Sequence, residues 1–254
     1  MRRMFLVAVL VGIVFSLRAE VNKEEFFARM LQKNSNVECI SGKYEINMSM
    51  MGNIMKIPVN FWQKGNKMRM DMIMSNPGMP QPMEIYMLMD GQKMIQYQKM
   101  LKTVFTFDLE KLPENMKQQM KNNQGFIMNS DSISQLYQMI DKISVEEKIK
   151  DGKSFYLISI RDISNTGNIS STFGVQSTQQ MFNKMLMWVN PSSLLPEKIE
   201  FYGDTDTPAM WIDILGLSTE PFSDSVFKLD IPADVKYMDM TETMKKMSES
   251  VNVR

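Results

Sequence analysis

Histidine is absent from the 254 residues, and cysteine occurs once. Without histidine there is no Ser-His-Asp triad, no Cys-His pair and no His-ligated zinc. Cys39 has no internal partner for a disulfide and is expected to pack as a small apolar side chain. Glycine is scarce at 12 residues, and none falls in a G-x-G-x-x-G, P-loop or G-x-S-x-G arrangement. Neither charge is in excess: Lys+Arg and Asp+Glu stand at 29 each. That balance argues against nucleic acid as a principal partner, because phosphate binding needs a basic surplus. The adjacent carboxylates Glu146 and Glu147 lie in a mixed-charge strand pattern and read as a solvated face. Asp204-x-Asp206 lacks the rest of a calcium loop, stands before Pro208 and reads as a turn. The chain therefore reads as a non-enzyme that calls for no cofactor and no metal.

A long hydrophobic run is also missing. Met4–Phe15 is apolar but short for a membrane span, and it follows Arg2 and Arg3. With Ala19 at the −1 position, residues 1–19 read as a cleavable signal peptide and residues 20–254 as one domain. No cysteine follows closely enough for a lipidated N-terminus, and the expected location is the periplasm. The sequons Asn47-Met-Ser and Asn168-Ile-Ser would matter only in a eukaryote.

What the chain has in abundance is methionine, 29 residues of it, in a β pattern. Side chains of a strand alternate between faces. Met68, Met70, Met72 and Met74 share one parity, with Lys67, Arg69 and Asp71 on the other, which should face water. Met83, Ile85, Met87 and Met89 repeat the pattern, as do Tyr44, Ile46, Met48 and Met50 upstream. Gly52-Asn53, Lys64-Gly65-Asn66 and Asp90-Gly91 are hairpin turn signals, so four to six strands are expected to follow one another as an antiparallel meander.

Helices flank and interrupt these strands. Asn22 with Glu25 makes a capping-box pattern before Phe26, Phe27, Met30 and Leu31. Leu112, Met116 and Met120, with Pro113 suited to a first turn, suggest a second helix. Ser130 and Asp131 can cap a third carrying Ile133, Leu136, Tyr137 and Ile140. Strands are expected at 145–150, 155–162, 185–189, 198–202, 209–217 and 226–231, a polar loop at 163–178, a short helix at 179–184 and a terminal helix at 241–250. The whole predicts a single curved, mainly antiparallel sheet with helices against its concave side.

Three readings of the methionines stand beside one another. Methionine fills cores. An unbranched, polarizable side chain also suits a groove that repacks around ligands of differing shape. Thioethers suit Cu(I), and the Met-x-Met spacing from Met68 to Met74 is of that kind, although no histidine is interleaved.

The order of motifs resembles the periplasmic outer-membrane lipoprotein carrier and sorting family, with its LolA-like fold. The resemblance rests on Phe61-Trp62-Gln63-Lys64 with the strand 67–70 after it, and on Asp90-Gly91 before a strand containing Tyr97. Later it rests on Trp188-Val189-Asn190-Pro191 with Leu195-Pro196-Glu197-Lys198-Ile199, and on Phe227-Lys228-Leu229-Asp230-Ile231-Pro232 with Val235. It implies an incomplete antiparallel barrel with an apolar concave face lidded by helices. It further implies a monomeric carrier that holds acyl chains of lipoproteins or other lipids, with an inner-membrane release transporter and an outer-membrane receptor as partners. On that reading the groove is lined by Tyr44, Ile46, Met48, Met50, Phe61, Met68, Met70, Met72, Ile85, Met87 and Met89. An envelope sensor or structural protein of the same fold, and a Met-rich Cu(I) binder, are the alternatives. In one respect the chain departs from the family: carriers place an arginine after the Trp-x-Lys step, and this chain has Gly65.

Overall fold

The computed structural model describes residues 21–35, 37–50, 52–75, 81–114, 116–117, 130–161 and 182–251. The expected signal peptide, Met120, the loop at 163–178 with its sequon at Asn168, and most of the short helix at 179–184 lie outside them.

The chain opens with α1 (Lys23–Asn34), where Asn22 accepts a hydrogen bond from the Glu25 amide at 3.1 Å, as the capping pattern predicts. Six strands follow: β1 (Cys39–Met50), β2 (Asn53–Lys64), β3 (Lys67–Met74), β4 (Met83–Met89), β5 (Lys93–Gln98) and β6 (Thr103–Asp108). Each pairs antiparallel with the next, so the expected meander is complete. After α2 (Ser130–Gln138) come β7 (Ile143–Lys150), β8 (Lys153–Arg161), β9 (Lys184–Val189), β10 (Pro196–Tyr202) and β11 (Met210–Ser218), again antiparallel in sequence. Asp151 and Gly152, both at positive φ, form the two-residue turn between β7 and β8 that such a hairpin needs. The chain closes with β12 (Lys236–Asp239) and α3 (Thr241–Val251).

The two meanders join through β1 and β11 into one sheet of 12 strands, ordered β12-β6-β5-β4-β3-β2-β1-β11-β10-β9-β8-β7. β12 and β7 are its two edges, so the sheet does not close. This is the incomplete barrel implied by the resemblance. At the seam, Lys43 faces Gly216 and Tyr44 faces Ile214, leaving Leu215 as an extra residue in β11. Such a bulge bends its strand and increases the local twist. Gly42 permits the tight fit here: a Cβ at this position would collide with the Gly216 carbonyl oxygen and the Phe61 ring.

Three expected secondary-structure elements are corrected. The expected third helix ends at Gln138, and Ile140 belongs to a 3-10 turn; Tyr137 is 42% exposed, although its ring meets that of Phe27. Lys184 begins β9 instead of ending a helix. No strand occupies 226–231: Asp224–Phe227 is a 3-10 turn, and the last strand comes later, at Lys236–Asp239. The cause is a side chain. Arg69 donates through Nη1 to the carbonyls of Val226 at 2.7 Å and Lys228 at 3.2 Å, taking acceptors that a ladder would have used.

Residues 219–235 thus form a strap across the outer face of the sheet. Cys39 is buried beneath its start, with Sγ directed at the carbonyls of Thr219 and Glu220. Lys64 and Lys67 both bind Asp224, at 2.7 and 2.8 Å. Those lysines hold the Asp224 carboxyl down to about 2, chiefly by hydrogen bonding. Arg69 also grips Asp71 through two bonds, at 2.7 and 2.8 Å, and lies 5.4 Å from the centre of the Trp62 ring. Arg69 and Asp71 were expected to face water; their side chains are instead mostly covered. Beyond the strap, β12 adds to β6 in parallel, and Thr241 Oγ1 accepts from the Asp108 amide at 2.9 Å as α3 begins.

Candidate functional site

Residues that face each other across paired strands lie on one side of a sheet, so the registers trace a single inner face from edge to edge. From β6 inward, Phe107 meets Met94, Met94 meets Met89, Met89 meets Met68, and Met68 meets Gln63. In the next rows Met87, Met70 and Phe61 align, and then Ile85, Met72, Val59 and Tyr44. Beyond the seam the same face continues through Ile212, Ile199, Met187, Ile158 and Val145. Ten of the eleven candidate residues, Tyr44, Ile46, Met48, Phe61, Met68, Met70, Met72, Ile85, Met87 and Met89, share it, and the Met50 side chain lies outside the description.

Their burial divides them. Tyr44, Phe61, Met68, Ile85 and Met89 are buried, whereas Ile46, Met48, Met70, Met72 and Met87 are half-buried. Over β8–β11 the face is filled, whereas at the far end of β7 Glu147 and Ile149 are exposed. Phe26, Phe27 and Met30 of α1 and Ile133 and Leu136 of α2 pack on Ile158, Ile160, Met185, Met187, Ile199, Phe201 and Ile212. Phe26 meets the Tyr156 ring at 4.9 Å, and Lys23 ties α1 down by donating to the carbonyls of Ile140 and Ile143. Over β3–β5 the cover is lighter. A second cluster of Met68, Met89, Met94, Leu109 and Leu112 is joined by Met116 and by Met244 of α3. Met70 touches both clusters. Pro113 accepts from the Met116 and Lys117 amides, so a helical turn does start where the Leu112–Met116 spacing predicts.

Polar groups also lie on this face: Gln63 opposite Met68, Gln96 opposite Met87 and Gln98 opposite Ile85. The Tyr44 hydroxyl donates to the Met70 sulfur at 3.5 Å, and burial pushes the phenol well above its usual range. Between these groups the methionine rows meet by dispersion and hydrophobic contact. Among the described residues no group of His, Cys, Asp or Glu is placed to hold a metal ion. A shallow pocket of about 240 Å³ at the α1 end is lined by Arg29, Gln32, Lys33, Pro191, Ser192 and Leu194 and shares no residue with the methionine rows. Gly65, where the carriers have arginine, occupies the β2–β3 turn at positive φ, outside the inner face. Asn47, in the upstream sequon, is buried and donates to Asp213.

The inner-face residues of β8–β11 were not among the sequence candidates. Their signal was present, since Met185, Met187 and Val189 alternate as cleanly as Met68 to Met72. The register that brings Tyr44 opposite Ile214 is the missing step, and it joins distant parts of the chain.

No protein-family model matches the chain, and no curated protein matches it. Solved structures do. An uncharacterized conserved protein from Thermus thermophilus aligns with a TM-score of 0.51 at 8% identity, over 85% of this chain and 98% of that one. LprF from Mycobacterium bovis aligns at 0.44 and 11% identity, over 84% and 97%. A putative outer membrane lipoprotein-sorting protein domain from Vibrio parahaemolyticus aligns at 0.37 and 10% identity, over 82% and 97%. At 8% identity the first of these shows a likeness of fold alone. Among the described residues, no helix is long and apolar enough to cross a membrane.

Proposed function

We propose that the protein binds the acyl chains of lipids or lipoproteins on the methionine half of its inner face, as a non-catalytic carrier in the cell envelope. The observation that carries this reading is the unequal burial of one largely apolar face. Its aliphatic and aromatic end is filled by α1 and α2, while Met48, Met70, Met72 and Met87 remain partly open. Transfer of a hydrocarbon chain from water gains roughly 0.8 kcal/mol per buried CH₂. Flexible thioether side chains make room without a fixed cavity shape. The family resemblance in the sequence supports the same reading, together with export by residues 1–19, the periplasmic location and the handover partners that it implies.

The test is a pair of variants at Met70. Met70→Leu conserves volume and is expected to cost under about 1.5 kcal/mol and to retain binding of a fluorescent fatty-acid probe. Met70→Glu places an unpaired charge against hydrocarbon and is expected to abolish that binding while the protein still melts cooperatively. Unfolding of Met70→Glu would instead support a packed core. Unchanged probe binding in a folded Met70→Glu would reject this face as the site.

A further inference from the structure

The outer face of β7–β9 carries more cations than carboxylates. The registers that point Val145, Ile158 and Met187 inward turn Lys148, Lys150, Lys153, Arg161 and Lys184 outward, with Glu146 as the carboxylate among them. Lys148 pairs with Glu146 at 2.6 Å and Lys150 lies 3.9 Å from Glu200, which still leaves a local excess of cations in a chain of net charge zero. β10 adds Lys198 and the buried Glu200.

Aromatic and aliphatic side chains are set between those cations. Trp188 stands opposite Leu157 and Lys198. Its indole N–H donates to Glu200 Oε2 at 2.8 Å, its ring lies 4.3 Å below the Lys150 ammonium, and Phe155 meets it edge-on at 5.9 Å. Lys184 stands 4.3 Å from the centre of the Tyr202 ring, and the Tyr202 hydroxyl donates to Glu200 at 3.2 Å. Glu200 therefore holds Trp188 and Tyr202 in place. Each ring is left with an ammonium over it, an apolar body tipped by positive charge. The strap runs over Cys39, Lys64, Lys67 and Arg69, on strands β1 to β3.

We infer that the outer face of β7–β10 docks on the surface of a membrane rich in anionic phospholipid. A sheet face is broad, and lysines over indole and phenol rings match the order of a lipid headgroup layer, with phosphate outermost and apolar boundary beneath. Lysine and arginine close to such a surface add attraction that salt screens. The inference stands apart from acyl binding, because it uses the opposite side of the sheet.

Sedimentation of the purified protein with vesicles tests it. Binding is expected to equimolar phosphatidylglycerol and phosphatidylethanolamine, not to pure phosphatidylcholine, and to be lost in 0.5 M NaCl. At the fivefold or so that each surface cation contributes, the triple variant Lys150→Gln, Lys153→Gln, Arg161→Gln should bind on the order of a hundredfold more weakly. Removing three cations elsewhere (Arg29→Gln, Lys142→Gln, Lys246→Gln) should change binding far less. Met70→Glu should leave vesicle binding intact while losing the fatty-acid probe, so the two readings fail separately. Three outcomes would each overturn the inference. They are no affinity for phosphatidylglycerol vesicles, equal losses in the two triple variants, and capture of a polyglutamate peptide without vesicle binding, which would assign the face to an acidic protein.

Discussion

The inner face of this sheet has two ends with different materials. Over β7–β11 it is made mainly of isoleucine, phenylalanine, valine and three methionines, and α1 and α2 seal it until Ile158, Ile160, Met185, Met187 and Ile199 have no exposure left. Over β3–β5 it is made largely of methionine, and Met70, Met72 and Met87 keep part of their surface. Branched and aromatic side chains hold few rotamers and pack to one shape. Methionine has three rotatable bonds and packs to many. The difference teaches that one apolar face can serve as core at one end and remain adaptable at the other, without any change in hydrophobic pattern.

Substitutions measure that contrast. Phe201→Ala, in the filled half, is expected to cost about 3–5 kcal/mol in denaturant unfolding. Met70→Ala, half-buried, should cost only about 1 kcal/mol. Equal costs would erase the distinction between the halves. At the seam that joins them, Gly42→Ala drives a Cβ into the Gly216 carbonyl, and a loss of about 1–3 kcal/mol is expected in the same assay. Cu(I) titration sharpens the comparison from another side. Met68, Met89 and Met94 stand abreast on three strands but are committed to packing with Leu109 and Leu112. No stoichiometric tight uptake is expected, and uptake that disappears in Met68→Leu would convert the methionine half into a metal site. The smallest effect concerns the strap. The Asp224 carboxyl titrates at about 2 in the folded protein against an ordinary 3.8. A carboxyl depressed on folding stabilises above its unfolded value, so this contribution is complete above about pH 4 and fades as pH falls toward 2. Asp224→Asn should flatten that part of the stability–pH curve, as followed by urea unfolding between pH 5 and pH 2.

Much of this was legible in the chain itself. Period-2 alternation with glycine turns gives the β1–β6 meander to within a few residues, and parity alone places ten of the eleven candidate residues on one face. Long-range bonds account for what was missed. Residues 226–231 alternate like a strand, but the Arg69 guanidinium claims their carbonyls from another part of the sheet. Arg69 and Asp71 read as solvated charges because the strap that covers them arrives more than 150 positions later. Lys184 reads as the end of a helix, yet it pairs with Arg161 and Tyr202. The burial contrast within the methionine rows was also hidden, since it depends on which helices reach which strands.

The seam at β1 has a consequence for how the chain comes to its fold. β1 is 12 residues long and pairs with β2 at once, but its other edge receives β11 only after most of the chain has been made. Until β11 arrives, the first meander therefore has a long unpaired edge, the kind of template on which other chains can add. The outer edge of β6 stays open longer still, until β12 pairs with it.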